Sequence, residues 1–139
     1  MTLEDALARY PGAVTFTFGD SRALCDALLA LVRSGQKTAT CGAARDFETD
    51  GEPPPVAGRR DIALDWDGNP ALVIETIEVT RRRFREVDMD FALAEGENDD
   101  LDGWRRDHRA YFERNGGWSD DMELICERFR LVEDLGGVP

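Results

Sequence analysis

Ser34-Gly35-Gln36-Lys37-Thr38-Ala39-Thr40 decides how this chain is read, because two periodicities meet there. Upstream, residues 21–33 place Leu24, Leu28, Leu31 and Val32 at helical spacing. Gly19-Asp20-Ser21 offers an N-cap and Ser34-Gly35 a stop, so an amphipathic helix is expected there. Downstream, residues 38–47 are small, β-prone and sparsely charged, which predicts a strand. A helix-to-strand junction lets polar side chains point into a cleft. This one is not a phosphate-binding P-loop: the glycine-rich lead-in is absent, and the helix precedes the loop instead of following it.

Working outward, residues 2–10 read as a short helix capped by Thr2 and ended by Pro11-Gly12. Residues 13–18 alternate like a strand. Residues 49–58, with three consecutive prolines, are a loop. Residues 61–66 and 71–80 read as two strands joined around Asp67-Gly68-Asn69-Pro70, a hairpin signal. A short helix is expected over 88–94 and an amphipathic one over 101–114, followed by a last strand over 123–132 and a loose tail over 135–139. No repeat or linker interrupts the 139 residues, and the βαβ rhythm of a parallel sheet is missing. The expectation is one α+β domain: a small, mostly antiparallel β-barrel or curved sheet with flanking helices.

Composition narrows the function. The net charge of −12 argues against broad binding to long nucleic acid, DNA included, while leaving room for a local basic pocket. No apolar run is long enough to cross a bilayer, and the acidic start lacks the features of a signal peptide, so a cytoplasmic protein is expected. Cys25, Cys41 and Cys126 are widely spaced, form no zinc-like cluster and read as free thiols. No metal or cofactor is expected. The seventeen basic residues are sixteen arginines and a single lysine, Lys37. Where arginine serves almost everywhere, a retained lysine suggests a place for a compact ammonium or a neutral amine.

Lys37 and Thr40 lie three residues apart, and a strand starting near Thr38 would turn Thr38 and Thr40 to the same face. An amine beside a hydroxyl can activate a nucleophile or orient a water. In Ala92-Leu93-Ala94-Glu95-Gly96-Glu97-Asn98-Asp99-Asp100, an acidic run reads first as a solvated loop; it is not an EF-hand. Glu95 follows an apolar stretch, so it can sit at the inner end of a helix and pair with Lys37 or act in acid–base chemistry. His108, the sole histidine, falls on the aromatic face with Trp104, where a core role competes with a role as proton carrier. Ser119 follows a Gly-Gly turn and Trp118 and is a further candidate for the pocket.

Taken in order, these segments resemble the ASCH domain family, which has a PUA-like β-barrel. The stretches that carry the resemblance are Phe18-Gly19-Asp20-Ser21, Ser34 through Thr40, and Ala92-Leu93-Ala94-Glu95-Gly96-Glu97. They continue with Trp104-Arg105, His108 and Phe112, then Trp118-Ser119-Asp120-Asp121-Met122 and Cys126-Glu127-Arg128-Phe129. The order is similar to the longer bacterial branch and spans about residues 14–133. The resemblance implies a cleft between sheet and helices and a link to RNA or modified nucleosides. Small members of the family are acetylcytidine amidohydrolases with a Lys-x-x-Thr pair and a distant glutamate. Lys37 and Thr40 match the pair; Glu95 matches the glutamate, with Glu97 as its competitor. At least one longer relative is described as a ribonuclease. This chain also carries an extra helical region over 98–117, which would shape the pocket.

The resulting expectation is a metal-free hydrolase acting on a modified nucleoside or related amide, with Lys37, Thr40 and Glu95 catalytic. Thr38, Glu97, Trp104, Arg105, His108 and Ser119 are expected to contact the substrate. A short RNA is the alternative ligand, bound or cleaved, and a non-catalytic sensor of a nucleotide-like ligand is a third reading.

Overall fold

The computed structural model describes residues 1–136; the end of the expected tail, from residue 137, lies outside them. Elements run α1 (Leu3–Arg9), β1 (Thr15–Thr17), α2 (Arg22–Ser34), β2 (Ala39–Ala43), α3 (Ala44–Glu48), β3 (Arg60–Leu64) and β4 (Pro70–Arg83). A single 3₁₀ turn, Phe84–Glu86, leads to α4 (Met89–Ala94), α5 (Leu101–Arg114) and β5 (Glu123–Asp134). Local chemistry sets the helix ends. Thr2, Ser21, Asp88 and Asp100 each cap a helix by accepting from a backbone N–H in its first turn. Gly35 ends α2 in the left-handed region, at φ 83°.

The five strands form one sheet in the order β1-β3-β4-β5-β2. Only β1 and β3 run parallel; the other pairs are antiparallel. The sheet does not close, and β1 and β2 are its edges, which corrects the expected barrel. The strand expected over 38–47 is also shorter. After Ala43 the chain turns into α3, where Ala44-Arg45-Asp46-Phe47-Glu48 carries helix-compatible residues and Asp46 sits in the first turn. Phe47 then packs back on Gly42, whose missing side chain makes the room.

α2 buries Cys25, Leu28, Leu29 and Val32 against Ala63, Leu72, Ile74 and Phe129 of the sheet. α4 and α5 build a second core, in which Phe91, Trp104 and Phe112 meet Phe84, Leu124 and Cys126. Ala6 of α1 packs with Ile62 and Val73 in a third. The cavity described below opens between the first two cores, bordered by Leu28 and Ile74 from one and Phe112 from the other. No helix among the described residues is long and apolar enough to cross a membrane.

Leu29, 2% exposed, tests the first core. Leu29→Ala is expected to destabilise by about 2–5 kcal/mol, read as a lower urea midpoint at unchanged slope.

Candidate functional site

Lys37 follows the α2 stop and turns inward: it is 1% exposed, and its backbone N–H donates to Leu31 O at 3.1 Å. Its Nζ donates to Glu95 Oε1 at 3.3 Å, to the Glu95 carbonyl at 3.4 Å and to Glu97 Oε2 at 3.2 Å. The two acids reach it because the chain after α4 lies directly on the α2–β2 junction. Thr38 N–H donates to Ala94 O at 2.7 Å. Gly96 sits at φ 77°, and a Cβ there would stand 2.5 Å from Gln36 O. Both conformation and space therefore demand glycine between the two acids.

Glu95, also 1% exposed, is satisfied from several elements. Its Oε2 accepts from Trp104 Nε1 at 2.6 Å and from Cys41 Sγ at 3.5 Å. His108 Nε2 stands 3.4 Å from the same oxygen. His108 Nδ1 lies 2.9 Å from Trp104 O, an atom that can only accept, so Nδ1 carries a proton. With a carboxylate facing Nε2 as well, the ring is best satisfied as an imidazolium. Burial pulls the His108 pKa down, but the charge and hydrogen bond of Glu95 outweigh it and the net shift is upward. Burial pushes the Glu95 carboxyl up, yet His108, Lys37 and Trp104 together bring it down to about 2. Cys41 is held well above the usual thiol range by burial and by Glu95, so it remains a thiol.

These groups open on a cavity of about 370 Å³, a size suited to a small ligand. Lys37, Thr40, Glu95, Glu97 and His108 all line it, with Phe16, Phe18, Phe47 and Tyr111 as apolar wall. Four expected contacts lie elsewhere. Thr38 precedes the first residue of β2 and is exposed, its hydroxyl donating to Ala94 O at 3.4 Å. Trp104 is fully buried behind Glu95, where it holds the carboxylate and stacks on His108 at 4.2 Å between ring centroids. Arg105 is exposed and borders no part of the cavity. Ser119 is exposed in a turn, its carbonyl accepting from Met122 N–H. The structure adds Cys41, Asp46, Arg59, Asp61 and Glu127 to the lining. Cys41 had a sequence signal, its place beside the Lys-x-x-Thr segment; Glu127 lay in a matching stretch with no assigned role.

Cys41, Glu95 and His108 each offer an atom within 4.8 Å of the others, and among the described residues these are the ones that could hold a metal ion. Any such ion would share Glu95 with the Lys37 ammonium already on it.

The sheet is mostly antiparallel, with helices around a polar cavity, and solved structures similar to it are ASCH domains, which have a PUA-like fold. The chain belongs to the ASCH domain family, whose model matches residues 14–133. The ASCH domain from Lactobacillus crispatus JV V101 is similar at 28% identity and a TM-score of 0.79, covering 94% of this chain and 86% of that one. A crystal structure of a protein from Enterococcus faecalis V583 is similar at 32% identity and a TM-score of 0.83, covering 96% and 86%. No curated relative matches the chain.

Gly96→Ala is expected to separate Glu95 and Glu97 from Lys37, or to unfold the segment, with a loss above about 1 kcal/mol; denaturant melts check it. A pH effect follows from His108. Its folded pKa lies above the ordinary 6.5, so its contribution is complete below that value and is lost as pH rises through the folded one. Stability is expected to fall on raising pH from about 6 to about 9, and His108→Gln is expected to flatten that fall.

Proposed function

We propose that this ASCH domain protein is a hydrolase acting on a modified nucleoside or related amide, in the manner of acetylcytidine amidohydrolases. The observation that carries the reading is that Lys37, Thr40 and Glu95 all line one cavity. ASCH domains are associated with RNA or nucleotide binding, which agrees with a nucleoside-sized ligand.

In this reading Thr40 supplies its hydroxyl as nucleophile, its acyl ester then being hydrolysed by water, or holds the attacking water against the acyl carbon. The proton that the attacking oxygen sheds passes to the Glu95 carboxylate, which returns it to His108 at 3.4 Å. Lys37 places positive charge where the tetrahedral oxyanion develops. Glu95, ionised across the neutral range, fixes Lys37 and His108. The departing amine needs a proton as its bond to the acyl carbon breaks, and the His108 imidazolium is the acidic group in reach of the cluster. The lining works against an RNA strand: Asp46, Glu52, Asp61, Glu95, Glu97 and Glu127 face Lys37, Arg59 and His108.

The test is to incubate the protein with acetylcytidine and follow cytidine by chromatography. Release of cytidine is expected, with Lys37→Ala and Glu95→Ala each lowering turnover by at least about 100-fold. Turnover unchanged in either variant would sink the assignment. RNA cleavage without acetylcytidine turnover would favour the ribonuclease alternative, and tight binding without turnover the sensor.

A further inference from the structure

Glu127 is a carboxylate of the cavity to which the reaction assigns no part. In the β2–β5 ladder it stands directly across from Thr40. Side chains paired in this way lie on one face of the sheet, with Cβ atoms about 4.5–5.5 Å apart. Both residues line the cavity, so the ladder presents Glu127 to the same space as Thr40.

The carboxyl is held from behind. Thr76, 1% exposed, donates its hydroxyl to Glu127 Oε2 at 2.8 Å. In the ladder Thr76 is paired with Phe129, and the register shift between Thr76 and Glu78 marks a bulge in β4 at this point. No other protein hydrogen bond reaches the Glu127 carboxyl among the described residues.

The charges around it are already committed. Arg59 is bound to Asp61 through two hydrogen bonds, at 2.7 and 3.0 Å. Lys37 is shared between Glu95 and Glu97. Glu127 thus has no cation of its own. Burial pushes its carboxyl upward, and the Thr76 hydroxyl pulls it down less strongly; Asp61 adds to the rise, while Arg59 and Lys37 oppose it. Protonated, a carboxyl in that setting offers one donor beside one acceptor.

We propose that Glu127 is the ligand-recognition residue of this cavity and reads an uncharged edge that pairs a hydrogen-bond donor with an acceptor. An amide or the base edge of a pyrimidine nucleoside has that pattern. A phosphate does not, because it brings only acceptors and charge into an acid-lined cavity. The proposal rests on the nucleoside reading above and names the residue that selects the ligand.

Calorimetry on the full chain tests it, with acetylcytidine, cytidine and cytidine 5′-monophosphate as probes. The two nucleosides are expected to bind more tightly than the monophosphate. Glu127→Gln keeps a donor and an acceptor and is expected to hold nucleoside affinity within about 3-fold, whereas Glu127→Ala is expected to lose about 10-fold or more. Equal affinity in Glu127→Ala and the parent overturns the proposal. So does a loss in Glu127→Gln as large as in Glu127→Ala, since an ionised carboxylate would then be the group that matters, and so does preference for the monophosphate. Should Glu127→Ala not fold, Thr76→Val removes the hydroxyl that holds the carboxyl, and unchanged affinity there overturns the proposal as well. Glu127-dependent binding without release of cytidine defeats the hydrolase reading and leaves this one standing. Hydrolysis and affinity both indifferent to Glu127→Ala do the reverse.

Discussion

Burying the ammonium of Lys37 constrains everything around it. An isolated charge taken out of water costs many kcal/mol unless it is paired and hydrogen-bonded. Lys37 meets that demand with Glu95, the C-terminal cap of α4, and Glu97 just beyond it. They can arrive only because Gly96 lets their backbone touch Gln36. Glu95, buried in its turn, requires donors of its own and draws them from Trp104 and His108 on α5 and from Cys41 on β2. One buried pair therefore ties the α2–β2 junction, the end of α4, the inner face of α5 and an edge strand into a single arrangement.

Such a pair is a poor device for stability alone. Well-packed apolar residues of the same volume often do as well or better, while removing one partner costs about 3–5 kcal/mol. The cluster is moreover balanced in charge: Glu95 and Glu97 face Lys37 and an imidazolium at His108. A balanced set of ionised groups at the wall of a cavity is preorganised to meet charge that develops in a ligand, which is the property a catalytic site needs and a core does not.

Much of this was legible in the sequence, for identifiable reasons. α2 carries its own cap, its apolar stripe and its stop, and it lies within a residue of expectation. The β3–β4 hairpin announced itself through Asp67-Gly68-Asn69-Pro70. Lys37 stood out by composition, and the apolar stretch before Glu95 allowed a pairing with it; the family resemblance then singled Glu95 out, because nothing local connects an α4 terminus with the end of α2. Thr38 was misjudged because alternation holds only inside a strand, and β2 begins one residue later. Trp104 belonged to the right face of α5 but is fully buried, so it holds Glu95 instead of touching the cavity. Glu127 and Thr40 meet only through the pairing of β5 with edge strand β2, which depends on the whole strand order.

The preference for lysine over arginine at position 37 has a geometric explanation. An ammonium has three donors spread tetrahedrally, and here they face three acceptors: the Glu95 carboxylate, the Glu95 carbonyl and the Glu97 carboxylate. A planar guanidinium presents its donors as a fork in one plane and is larger, so it matches neither this arrangement nor the space beneath Phe18, whose ring centroid is 5.8 Å from Nζ. With all three donors engaged, a ligand oxygen reaches Lys37 only by displacing an acceptor. Glu95 is locked on several sides, whereas the Glu97 side chain is 21% exposed and has no other partner among the described hydrogen bonds. On the hydrolase reading, Glu97 is the group that yields.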